Sequence, residues 1–327
     1  MGVINILGAV ILYFLIQCKD PGIFFWYILA YTITFAPNLA LSTSISIKQM
    51  NDPEKEFPPI RVFGTIAWIV VTNIVGYYGF GDKVTIFSLA MFTSIALGIY
   101  AFTLPDTPPD SSEKVTLGQL IGKDAFVLFK DRSFLIFFIA SILICIPLSF
   151  YYAFGNLALT DLGMQNVENK MSLGQASEVI FMLLLPLAFR KFGVKWILII
   201  GLLAWILRFM LFGYGTVQME WMLIIAILLH GICYDFFFVT GQIYTDTKAG
   251  EKIKSSAQGL ITLATYGVGM GIGSKLSGLV LDHYSTSAGG SISYDWEAVW
   301  WVPTIIAILV LALFILFFKD KKGTIAI

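Results

Sequence analysis

Residues 105–131 read PDTPPDSSEKVTLGQLIGKDAFVLFKD, the longest polar interval in an otherwise apolar chain. Pro105, Pro108 and Pro109 close the helix before them, because proline lacks an amide hydrogen and its ring clashes with the preceding turn. Leu117, Leu120, Ile121, Ala125, Leu128 and Phe129 then recur at helical spacing, which predicts a short amphipathic helix on the membrane surface. About 20 apolar residues cross the hydrocarbon core of a bilayer. Runs of that order stand at 2–18, 22–45, 59–79 and 85–104 before the interval, and at 132–157, 171–189, 194–214, 219–244, 255–281 and 297–318 after it. The expected fold is an all-α polytopic membrane protein of about ten spans, four plus six. An N-terminal bundle (1–104), a cytoplasmic linker (105–131) and a C-terminal six-helix bundle (132–327) follow in order.

Composition and charge agree. Hydrophobic residues make up 57% of the chain and charged ones 13%, with a mean hydropathy of +0.82. Sixteen of the 21 Lys and Arg residues fall in segments joining alternate spans, on one side of the row. Only Lys19, Lys83 and Lys170 lie in the opposite loops, and Arg208 and Lys275 sit within spans. Because basic loops stay in the cytoplasm, both termini are expected there, in a bacterial inner membrane. Met1 opens directly into an apolar run with neither a basic leader nor a small-residue cleavage site, so the first span is expected to be retained. A net charge of zero without a basic stripe excludes a nucleic-acid partner. Cys18, Cys145 and Cys233 have no metal or disulfide spacing. No phosphate-binding loop, zinc motif, dinucleotide fingerprint or nucleophilic set is visible, which argues against an enzyme and against any cofactor. Transport would then run on an ion gradient.

Ionisable groups inside spans face a cavity or a partner, since charge in a bilayer is costly. Arg61, after Pro58 and Pro59, is either an orientation-setting arginine that snorkels or a multiple hydrogen-bond donor to a polar ligand, with Thr65 on the same face. Gln175 and Glu178, three residues apart, share one helical face. They either grip a base or hydroxylated sugar or pair with a basic residue; Glu178 is also a candidate proton carrier. His230, Tyr234 and Asp235 lie within one and a half turns. Tyr234 can stack on a ring and Asp235 can take a proton. Phe236, Phe237 and Phe238 read as packing or lipid-facing, Asn38 after Pro37 as a satisfied amide in a kinked helix, and Arg208 and Lys275 as structural. These acidic and guanidinium groups are expected to line one wet passage.

The stretches FPPIRVFGTIAWI (57–69), LIGKDAFVLFKD (120–131), SLGQASEVIFMLLLP (172–186), AWILRFMLFGYG (204–215), GICYDFFFVTGQIY (231–244) and SSAQGLI (255–261) resemble the nucleoside:proton symporter family of the major facilitator superfamily. The resemblance implies that fold and proton-coupled nucleoside uptake by alternating access. It implies ligand contacts from Arg61, Thr65, Gln175, Glu178 and Tyr234, and proton coupling by Asp235 with Glu178. Ser149 and Tyr152 occupy positions where the family has a ligand-touching Gln and Asn. His230 stands where enteric members have a tyrosine. Family members also carry two helices ahead of the segment matching Met1, so a truncated product, a misplaced start or a fragment is expected. The expected partners are a nucleoside, protons and the lipid bilayer, with the protein monomeric. Uptake of another polar metabolite, a sugar or nucleobase, and a truncated non-transporting membrane protein are the alternatives.

Overall fold

The computed structural model describes residues 1–49, 53–81, 83–106, 123–288 and 291–319. Contacts divide the chain into two compact units, Met1–Glu113 and Lys114–Ile327. In the first unit α1 (Gly2–Gln17), α2 (Pro21–Lys48), α3 (Pro53–Tyr77) and α4 (Thr85–Ala101) follow one another. Their apolar cores are Gly2–Gln17, Pro21–Phe35, Phe63–Tyr77 and Thr85–Ala101. Helix α1 packs on α2 and α4. Asn5 and Asn38 exchange side-chain hydrogen bonds at 2.9 and 3.3 Å, and the Asn38 amide also donates to the Thr34 carbonyl. Asn38 is therefore the satisfied amide expected beside Pro37, and the pair saves two buried polar groups from being orphaned in an apolar interior.

In the second unit a 3-10 stretch, Lys123–Lys130, leads into α5 (Arg132–Asp161). Of the surface helix expected in the linker, Leu117, Leu120 and Ile121 lie outside the described residues. The remainder departs from expectation. Ala125 and Leu128 are buried and Phe129 packs against the protein core, its ring 4.8 Å from Phe138. These apolar positions find protein instead of a lipid surface.

The helical stretch Val167–Tyr214 is broken at Gly193 into α6 (167–192) and α7 (194–214). Helix α8 (220–249) starts as Glu220–Tyr234, passes through a π turn at Asp235–Val239 and resumes at Thr240. Gly250 ends it. Helix α9 (251–283) contains a second π turn, Leu263–Gly269, before Met270–His283. A hairpin of β1 (Ser285–Ala288) and β2 (Ser291–Tyr294), with Ser285 opposite Tyr294, connects to α10 (Trp296–Phe317). The described residues thus hold four helices and then six, plus a small hairpin that hydropathy does not foretell.

Four stretches, Arg132–Asp161, Val167–Tyr214, Val217–Gly250 and Trp296–Phe317, are long and apolar enough to cross a membrane. Large apolar side chains point outward throughout, with Leu183 75% and Phe63 70% exposed. Such faces suit hydrocarbon, and helices suit it too because each satisfies its own backbone. The ends of α5 are pinned: Trp296 donates its indole N–H to Asp161 at 2.7 Å, and Lys248 Nζ meets Asp131 Oδ2 at 2.6 Å. Lys170 pairs with Glu220 across the α6–α8 ends.

Two backbone positions demand glycine. Gly193 (φ 71°, ψ 168°) and Gly250 (φ 63°, ψ 176°) occupy a region closed to other residues, and each joins two helices through a single non-helical residue. A Cβ at either would meet nothing within 4 Å, so only backbone strain opposes substitution. Gly193→Ala is expected to cost about 1–3 kcal/mol, read as a lower melting midpoint in detergent. Gly271→Ala, also in open space but within a helix, should leave the midpoint unchanged or raised.

Asp131 caps α5, accepting from the Ser133 and Phe134 amides. Burial pushes its carboxyl up, but the bonds from Lys248 and these amides prevail and hold it below the usual carboxylate range. A lowered carboxyl contributes stability above its unfolded value, near about 4, and loses it as pH falls. Asn also caps helices, so Asp131→Asn isolates the charge. Wild type should exceed this variant by up to about 1 kcal/mol at neutral pH, the pair being partly exposed. The gap should close as thermal denaturation is repeated toward pH 3.

Candidate functional site

The polar groups of the second unit gather where α8 touches α6. Gly231 allows the contact: a Cβ there would stand 2.5 Å from the Ser177 carbonyl carbon. Its amide donates to Ser177 Oγ at 3.0 Å, and that hydroxyl donates to the Gly174 carbonyl at 2.7 Å. One residue beyond Ser177, Glu178 is half-buried and within Coulombic reach of Asp235, Tyr234 and Tyr152. Gln175, also half-buried, makes no side-chain hydrogen bond among the described residues.

Helix α8 supplies the rest. Its π turn inserts one residue per turn more than an α-helix holds and so re-aims the side chains that follow, a device found frequently at functional sites. Asp235 opens that turn. It is fully buried, and neither carboxyl oxygen has a hydrogen-bond partner among the described residues. Asp235 thus departs from the expected wet passage, being sealed while Glu178 is not. Phe236, Phe237 and Phe238 are buried and packed, the first of the two readings open to them. Tyr234 Oη lies 2.7 Å from Tyr266 Oη, joining the residue before the first π turn to one inside the second.

His230 is 2% exposed, between the rings of Tyr151 (5.6 Å) and Tyr234 (5.7 Å). Its Nδ1 is 2.8 Å from Arg208 Nη1. The Arg208 guanidinium is fully buried, 3.7 Å from the centre of the Tyr151 ring, with Trp205 and Phe212 also near. No described carboxylate pairs with it. Cation–π attraction of roughly 0.5–2 kcal/mol per ring is what the sequence offers in place of a counter-ion.

Tyr152 presents a half-exposed ring beside this group. Ser149 is buried, and its hydroxyl is spent on the Cys145 carbonyl (3.0 Å) and the Met270 carbonyl (3.3 Å) of α9. Thr65 is half-buried on α3 of the first unit. The Arg61 backbone is one turn earlier in α3, and its side chain lies outside the described residues. A small cleft in the second unit is lined by Phe137, Ser141, Phe238, Gln242, Thr262 and Tyr266. Tyr266 therefore borders both cleft and cluster. Among the described residues no group of His, Cys, Asp and Glu could hold a metal. Aromatic faces, a free amide and a carboxylate suit a ring-bearing, hydroxylated ligand.

Three contributors escaped the sequence. Tyr151, Tyr266 and the Arg208–His230 bond join residues far apart in the chain; the only signal was a charge inside a span.

The family model described as "Nucleoside H+ symporter" matches residues 1–323. The chain belongs to the nucleoside H+ symporter family. YegT of Escherichia coli is 37% identical to the symporter over 338 residues, covering 99% of this chain and 79% of that protein. Xanthosine permease of the same organism is 32% identical, covering 96% and 78%. A crystal structure of the nucleoside transporter NupG superposes with a TM-score of 0.86 at 30% identity, covering 98% of this chain and 82% of that one. A bacterial homologue of the lysosomal transporter Spinster, 14% identical, shares the fold at a TM-score of 0.66. The symporter is an all-α, multi-pass membrane protein of the major facilitator fold, and not an enzyme.

The α6–α8 contact has no slack. Gly231→Ala must displace backbone, costing about 1–3 kcal/mol or more, and should lower both the melting midpoint and uptake. Ser177→Ala, which removes only the bridging hydroxyl, should cost about 1 kcal/mol.

Proposed function

We propose that the symporter accumulates nucleosides by coupling their entry to protons through alternating access. Membership of the nucleoside H+ symporter family carries the substrate class, and relatives named for xanthosine and for nucleosides support it. One observation carries the proton: Asp235 is sealed, and among the described residues both its oxygens lack a partner. A bare carboxylate in such a setting is far too costly, so this geometry fits the carboxylic acid. The proton is taken up when the turn at Asp235 opens to water and is released when it opens again on the other side.

Glu178 and Gln175 then grip sugar hydroxyls or base edges, with Tyr234 and Tyr152 against the ring. Arg61 and Thr65 are the ligand donors of the first unit. Neutralising Asp235 on closure couples the two fluxes, because the loaded form carries no bare charge through the apolar interior. Both termini are assigned to the cytoplasm by the basic loops, and the working unit is a monomer in the bilayer.

Uptake of labelled uridine, adenosine and xanthosine into proteoliposomes under an imposed pH gradient tests this. At least one should accumulate above its external concentration, and accumulation should vanish when the gradient is dissipated. Equal uptake in both conditions overturns the coupling. Asp235→Asn should abolish concentrative uptake while sparing exchange of internal for external nucleoside. Glu178→Gln should weaken both.

A further inference from the structure

The bond between Arg208 and His230 fixes more than a side-chain position. A guanidinium has five N–H donors and no acceptor, so the Nδ1 it touches at 2.8 Å must offer a lone pair. The ring proton of a neutral His230 is therefore on Nε2. That tautomer is built in, because Arg208 is itself immobilised: fully buried, it lies 3.7 Å from the Tyr151 ring centre between Trp205 and Phe212. The Nε2–H so created has no acceptor among the described residues. His230 makes no second hydrogen bond among the described residues, and Nε2 is not one of the sealed, unpartnered atoms. The imidazole edge beside it passes Gly174, where even an added Cβ would stop 3.5 Å from Cδ2. The next residue on that helix is Gln175, whose amide makes no hydrogen bond among the described residues. Tyr234 flanks the other face.

We propose that Arg208 is a positioning residue that locks His230 as a hydrogen-bond donor through Nε2, and that this donor selects nucleosides by an acceptor atom of the base, a carbonyl oxygen or bare ring nitrogen. The lock is a property of the fold; only the ligand class rests on the symporter reading above. A tyrosine hydroxyl can donate or accept, whereas this imidazole can only donate. The position is thereby narrowed to acceptor-bearing edges. Arg208 touches no ligand and acts through His230.

The chain has two histidines, His230 and His283, so nitrogen-15 labelling of histidine gives a spectrum that His283→Asn assigns. In the detergent-solubilised full chain, His230 should show one tautomer, protonated at Nε2 and bare at Nδ1. The nucleoside of the uridine, adenosine and xanthosine panel that binds best should shift Nε2 and leave Nδ1 in place. Arg208→Leu should mix the tautomers and raise the uptake KM about three- to tenfold, the worth of one neutral hydrogen bond, with kcat held. Arg208→Lys, which still donates, should recover both. A mixed or Nδ1-protonated His230 in the wild type overturns the lock. An Nε2 signal unmoved by saturating nucleoside overturns the ligand contact. Should Arg208→Leu fail to fold, the wild-type tautomer and its titration still decide. Should no gradient-driven uptake be found while nucleoside binding shifts Nε2, the transport reading fails and this one stands.

Discussion

The second unit depends on one close approach, the backbone of α8 laid against the backbone of α6 at Gly231 and Ser177. Without a side chain at 231 the two helices come near enough to share a hydrogen bond, and a single hydroxyl bridges both. The candidate polar residues of α6 and α8 are neighbours of that point. Glu178 follows Ser177, His230 precedes Gly231, and Tyr234 and Asp235 complete the next turn. In a bilayer no hydrophobic effect drives helices together, and small residues that admit close packing take over that role. Here the same device that joins the helices also assembles the site.

The cluster's two sealed ionic groups are handled in opposite ways. Arg208 keeps its charge and is held by ring faces and an imidazole lone pair, an arrangement that tolerates no proton exchange because guanidinium does not deprotonate. Asp235 has no such company: it is fully buried, and neither of its oxygens finds a hydrogen-bond partner among the described residues. One group is thus held by its neighbours, and the other has none of these holds. The π turn that begins at Asp235 places the second at a point of irregular backbone, a feature frequent at functional sites.

Most of the architecture was legible in the chain. Ten apolar runs, one polar interval and lopsided basic loops gave the helices in order, because hydrocarbon admits only helices of nearly fixed length. The joints were not legible. Gly193 and Gly250 stand among basic residues that mark a loop by composition, but nothing local says the loop is one residue long. The hairpin at 285–294 has serine-rich strands without apolar alternation. The site divides the same way. Gln175, Glu178, Tyr234 and Asp235 are polar residues at helical spacing in apolar surroundings, which periodicity exposes. Ser149 looked equally eligible, yet its hydroxyl is absorbed by carbonyls. Tyr151 and Tyr266 look like ordinary membrane aromatics, and only packing gives them a role.

The one-residue joints carry a mechanical meaning. A long loop lets two helices slide past each other, whereas a single glycine ties their ends together and leaves no play. Helices α6 and α7, and again α8 and α9, must travel as tethered pairs. The second pair also carries two π turns, and the Tyr234–Tyr266 hydroxyl contact runs from the edge of the first into the second like a strut. The lever arms of this half are therefore set by two glycines, and its irregular turns stand at and near Asp235.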